Sequence, residues 1–151
     1  YEVDVFQKHR EPSTWSWQDK SEFNEFILIP PDDFLGIPVL NLSLSATITN
    51  ERIDGAFNGE NLSIWTITHD NPNNDFLKTR AILSQFRKLI RKFFDTAKVK
   101  HGQDSVLHVF PAMPVSASVE LGRVWMPKAD FKMKIYDQNK NRDGFHPTIE
   151  I

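Results

Sequence analysis

The chain has 151 residues, 40% hydrophobic and 25% charged, which is the balance of one globular domain and too little for two ordinary ones. Lys and Arg number 18 against 20 Asp and Glu, a net charge of −2. That excludes a general duplex nucleic-acid binder, which needs a basic surface to neutralise phosphates, but not a small anion held by a few local donors. The absence of cysteine rules out disulfides, thiolate zinc sites and cysteine nucleophiles. With no apolar run of membrane-spanning length and no signal-peptide pattern, a cytoplasmic protein is expected.

The chain opens at Tyr1 directly into an apolar–polar alternation reaching Phe6, the pattern of a fragment or a processed chain. Residues 9–25 are polar and aperiodic, so 1–25 reads as a leader or the remnant of a preceding unit, and 26–151 as the domain. Phe26–Ile29 is a short apolar run stopped by Pro30 and Pro31. Leu40–Thr49 predicts a strand that buries Leu40, Leu42, Leu44, Ala46 and Ile48. Its other face would present Asn41, Ser43, Ser45, Thr47 and Thr49 as an open row of polar groups. Asp54-Gly55 and Asn58-Gly59 are turn dipeptides, and Leu62–Thr68 is a second strand rich in β-branched residues.

A long helix follows over about Asp75–Lys100, capped by Asn74 or Asp75 and stopped at Gly102. Phe76, Ile82, Leu83, Phe86, Leu89, Ile90, Phe93, Phe94 and Ala97 recur at helical spacing. Lys78, Arg80, Arg87, Lys88, Arg91, Lys92 and Lys98 form its other face, read first as a solvated surface and second as a subunit contact. Val106–Phe110 is a buried-type strand that turns through Pro111–Pro114 into a helix over Val115–Val124. Lys132–Tyr136 and Pro147–Ile151 are later strands, separated by a turn-rich segment. Strands alternating with helices give an α/β layered domain with at least part of its sheet parallel.

Catalytic signatures are missing: no GxSxG, Walker loop or GxGxxG, and five histidines in no metal-ligand spacing. No catalytic residue, metal or cofactor is expected. Trp15, Trp17 and Trp65 can stack on bases, although core packing explains each as well, Trp65 above all. The segment Val106–Arg123 is more informative. A strand turning sharply into a helix sets the helix N-terminus at the sheet's carboxyl edge, where backbone N–H groups and the helix dipole favour an anion. The donors would be the N–H groups of Ala112, Met113 and Val115 with Ser116, and the small side chains of Ala112, Ser116, Ala117 and Ser118 would admit a ligand. Arg123 and Lys128 are candidate phosphate partners, and Ser43 and Ser45 a second wall.

The run Leu107–Asn139, with its FPA-x-P turn, its ELGR helix end and its IYD strand, resembles the C-terminal part of SAVED domains. Leu40–Ile48, Ile64–Thr68 and Asn74–Phe94 fit that family's order. The resemblance implies a Rossmann-like unit of the CARF (CRISPR-associated Rossmann fold) type, two of which make one sensor. This chain would hold about one of them, the C-terminal half, plus a leader. It further implies a cyclic tri- or tetranucleotide ligand, ligand-driven homo-oligomerisation, and a fused or partner effector (nuclease, TIR or protease) in CBASS or CRISPR anti-phage defence. The competing readings are a ring nuclease that cleaves the same ligand and an oligomerisation module that binds none.

Overall fold

A computed structural model describes residues 4–138 and 143–151. Its elements are β1 (Ile27–Ile29), β2 (Ile37–Ser43), α1 (Asn50–Asp54), β3 (Leu62–Thr68), α2 (Arg80–His101), β4 (Val106–Ala112), α3 (Val115–Val124), β5 (Lys132–Gln138) and β6 (Phe145–Glu150). They build one six-stranded sheet in the order β1-β3-β2-β4-β5-β6. The four inner strands are parallel, and β1 and β6 are antiparallel edges. The expected α/β layering with a parallel sheet is what the chain forms.

The central strand β2 begins and ends earlier than its alternation predicts, at Ile37 and Ser43. Gly36 explains its start, because a Cβ there would meet the Asn61 carbonyl oxygen at 2.7 Å, so only glycine lets the chain enter this close to β3. The open row of polar groups is also corrected: Asn41 and Ser43 are 2% exposed. Flanked by β3 and β4, this strand is covered on both faces. Leu40, Leu42 and Leu44 join Trp65, Ile67, Leu107, Val109 and Met133 under α2 and α3. The opposite face places Val39 and Phe110 against Ile48, Ile53, Tyr136 and Phe145. Part of that second cover is α1, a helix the sequence reading passed over because Asp54-Gly55 looked like a turn. Gly55 has φ −61°, so it needs no glycine-specific conformation.

The long helix α2 starts five residues later than expected. Its cap is Thr79, whose side chain accepts from the Ile82 N–H at 3.2 Å. Phe76 and Leu77 lie ahead of the helix and are buried. Asp75 is occupied elsewhere: its two oxygens accept from the N–H groups of Arg10 and Glu11 at 2.9 and 3.1 Å. At the far end Gly102, with φ 83°, closes the helix as foreseen. The basic face of α2 is a solvated surface at Arg80, Arg87, Lys88 and Lys92, as first read, but Arg87, Arg91 and Lys98 also bond within the chain. Arg87 pairs with Glu120 of α3, and Arg91 makes a two-pronged bond to buried Asp130 at 2.6 and 2.9 Å. Lys98 donates to the Ala129 carbonyl at 2.9 Å.

The remaining strands differ by a few residues. β4 runs on through Pro111 to Ala112, β5 extends to Gln138, and β6 begins at Phe145. Part of the turn-rich segment between β5 and β6, residues 139–142, lies outside the described residues.

Candidate ligand-binding edge

Chain order and sheet order together locate the edge. From β2 the chain moves to β3 on one side, then crosses to β4 on the other side and on to β5. The direction of winding therefore reverses between β2 and β4. In open α/β sheets the loops diverge at such a point, leaving a crevice outside the carboxyl ends of the strands. Here the switch point falls between the loop after β2, Leu44–Thr49, and the turn Met113-Pro114 that leads into α3.

Side chains and backbone hold these loops rigidly. The Ala112 carbonyl accepts from the N–H groups of Leu44 and Ser45 at 3.0 and 2.7 Å, stitching one loop to the other. Ser43 donates its hydroxyl to Asn41 Oδ1 at 2.7 Å and accepts from the Ile48 N–H at 2.9 Å, while Asn41 Nδ2 donates to the Ile48 carbonyl. At the end of β3, the buried His69 bonds through Nε2 to the Leu44 carbonyl at 2.8 Å. A carbonyl only accepts, so Nε2 carries the proton. Beside it lies a polar crevice of about 540 Å³, whose walls include Lys20, His69, Asp70, Asn73 and Lys78.

At α3 the edge meets a helix N-terminus where Ser116 is already addressed. Gln7 Oε1 accepts from the Ser116 hydroxyl at 2.7 Å and lies 3.4 Å from the Ser116 N–H. Val115, the first residue of α3, is 76% exposed, so its side chain stands free at the edge. A model of the family described as "SMODS-associated and fused to various effectors sensor domain", SAVED, matches residues 1–151. The chain belongs to the SAVED family.

A comparison with curated proteins finds no match. Among solved structures, the Acinetobacter baumannii Cap4 SAVED/CARF-domain containing receptor with the cyclic trinucleotide 2′3′3′-cAAA is similar, with TM-score 0.62 at 18% identity over 89% of this chain. The same receptor with 3′3′3′-cAAA gives TM-score 0.59 at 16% identity over 87%. At these identities the likeness is one of fold. The chain spans 28% of the length of those receptor chains.

The SAVED fold brings some of the sequence-selected residues together and separates others. Ser45 is half-buried on the loop after β2 and Val115 exposed at the start of α3, with Met113 between strand and helix. Ser43 is committed to the network under the loop. Ala112 and Met113 point their side chains in opposite directions, Ala112 into the core under α1 and Met113 into the core under α2 and α3. Neither side chain is turned to the edge, and the small size of Ala112, Ser116 and Ala117 serves packing. Ser118 is the exposed one, and its hydroxyl donates to the Pro114 carbonyl at 3.3 Å.

Arg123 and Lys128 are the clearest departure. α3 has 10 residues, about 15 Å of rise, and both cations belong to its far end. Arg123 Nη1 lies 3.6 Å from Glu120 Oε2 and lines a crevice with Asp4 and Arg80. The Lys128 carbonyl accepts from Gln103, just ahead of β4, so Lys128 sits at the amino edge of the sheet. Trp65 is buried and donates to His101 Nε2 at 2.9 Å. Gln7 went unnoticed in the sequence, and His69 was read only as one of five histidines in no metal-ligand spacing. A histidine directly after a β-branched strand was a usable signal for His69, whereas nothing local marks Gln7, 109 positions from its partner. Among the described residues no group of three or more His, Asp or Glu is placed to hold a metal ion, and no helix is long and apolar enough to cross a membrane.

Proposed function

We propose that this SAVED sensor domain binds a cyclic tri- or tetranucleotide across the β2/β4 switch point. In this reading the phosphates face the backbone N–H groups of Ala112, Met113 and Val115 and the Ser116 hydroxyl, and Ser45 supplies the opposite wall. The observation that carries it is the seating of Gln7 on Ser116, since an acceptor oxygen already rests where a phosphate oxygen would. The recognition is by neutral donors and a helix dipole, which suits a net-negative domain. Ligand-driven association and activation of a fused or partner effector, in a cytoplasmic defence protein, complete the reading. No catalytic step is assigned to this chain.

The test is Val115→Asp. Because Val115 is exposed at the first position of α3, a carboxylate there suits the helix dipole and leaves stability equal or raised by about 0.3–1 kcal/mol. The same carboxylate repels a phosphate. Calorimetric titration with cyclic triadenylate should show affinity reduced by roughly tenfold or more, about the worth of one charge-assisted bond. Val119→Asp, one turn along, controls for net charge and should bind nearly as the parent does. Equal affinities for the parent and Val115→Asp would place the ligand elsewhere.

A further inference from the structure

The segment 4–8 is held differently from the segment that follows it. From His9 onward the chain is pinned. His9 is fully buried and its N–H bonds the Thr14 carbonyl at 2.7 Å. Arg10 and Glu11 are held by Asp75, the Glu11 carbonyl accepts from Lys78 Nζ at 2.8 Å, and Gln18 N–H bonds the Lys78 carbonyl. Ahead of His9 the holds are made mostly at exposed side chains: Lys8 Nζ donates to the Ser13 hydroxyl at 3.0 Å and lies over the Trp15 ring, and Arg80 lies over the Phe6 ring. Asp4 meets Arg80 at 2.8 and 3.2 Å, with both side chains more than half exposed. The Val5 carbonyl accepts from Trp17 Nε1 at 3.0 Å, and Gln7 reaches Ser116. Beneath this strap lies a crevice of about 510 Å³ between α2 and α3, walled by Asp4, Val5, Arg80, Arg87, Glu120 and Arg123.

We infer that residues 4–8 form a displaceable strap in which Gln7 stands in for a phosphate oxygen, so that ligand binding and strap seating compete for the N-terminus of α3. The inference rests on the ligand reading given above. Its chemistry is a matter of charge. A carboxamide oxygen is a neutral acceptor, and a phosphate on the same donors makes charge-assisted bonds roughly twice as strong. Gln7 is therefore strong enough to close the site when it is empty and weak enough to yield to an anion. Once it yields, the exposed Asp4–Arg80 pair offers little resistance, because surface pairs contribute little. Lifting the strap releases Arg80 from Asp4 and Phe6, leaving it over the Trp17 ring, and opens the crevice along α2 and α3. The anchor at His9–Asp75 stays in place and acts as the hinge.

Two substitutions at one position should move affinity in opposite directions. Gln7→Ala removes the competitor, and cyclic triadenylate should bind about fivefold tighter, the equivalent of one neutral hydrogen bond. Gln7→Glu puts a fixed charge on the helix N-terminus, and binding should weaken by about tenfold. Hydrogen exchange at saturating ligand should speed up in residues 4–8 and stay unchanged in 9–18. Unchanged affinity in both variants, weaker binding by Gln7→Ala, or slower exchange in 4–8 would each overturn the strap while leaving the ligand site standing. If neither the parent nor Gln7→Ala binds cyclic triadenylate, the ligand reading fails and the strap fails with it.

Discussion

The two ends of the parallel strands are built from different chemistry. At the amino edge charges are buried and matched. Asp130, with no side-chain exposure, takes both prongs of Arg91 and the Met126 N–H, with Lys98 nearby at 3.5 Å. Burial pushes the Asp130 carboxyl up, but these partners outweigh it and hold it below the usual carboxylate range. The hydrogen bond to Asp130 in turn raises Arg91 above its ordinary value. At the carboxyl edge the loops after β2 and β4 are joined by neutral bonds among backbone, serine, asparagine and histidine, with the Asp75 carboxylate acting only beside β3. Fixed charge at one end therefore secures the fold, while uncharged donors and acceptors at the other tie the loops after β2 and β4 together. A count of cations along the sequence cannot make that distinction.

The largest expected effect lies at the amino edge. Asp130→Ala strands a partly buried guanidinium and should cost roughly 3 kcal/mol, the lower end for a broken buried pair because Arg91 keeps 28% exposure. Chemical denaturation reads the loss, and binding of cyclic triadenylate by the folded fraction should not change. Coupled loss of affinity would mean the two edges are not independent.

Gly36→Ala at the same edge drives a methyl into the β3 backbone and should cost roughly 2 kcal/mol, as overpacking does. A variant as stable as the parent in thermal melts would show that β2 and β3 can part without penalty.

A smaller effect is expected beside the carboxyl edge. Burial raises the Asp75 carboxyl, but the N–H groups of Arg10 and Glu11, with Lys78, outweigh this and leave it below its ordinary value. A carboxyl lowered in the folded state stabilises above its unfolded value, near 4, and that contribution disappears as pH falls through the folded value. Asp75→Asn should cost about 1–2 kcal/mol near neutral pH, where one of two N–H donors loses its acceptor. The difference from the parent should shrink well below pH 4. A gap that persists unchanged in strong acid would sever the link between this carboxylate and the anchor of residues 9–11.

Much of the fold was legible because periodicity reports burial. Leu62–Thr68 and Val115–Val124 carry the limits the structure gives them, and Gly102 closes α2 as expected. The pattern misled at β2, since alternation in a central strand marks two different cores and not one core and solvent. The short α1 left no pattern, because five residues hold only one buried position, Ile53. In the site, the strand–turn–helix at Pro111–Ser116 was readable from two prolines and a helix start. Arg123 and Lys128 were misplaced because nearness in sequence ignores the length of a helix. Gln7 was unreadable, since its contact with Ser116 joins residues 109 positions apart.

Backbone amide shifts during titration with cyclic triadenylate test most directly whether the ligand lies at the β2/β4 switch point. The largest changes should fall at Ser45–Thr47 and Ala112–Ser116, with Lys128 and Asp130 unmoved. Changes centred on Met126–Asp130 and the start of β4, with Ser45 and Val115 silent, would contradict that placement.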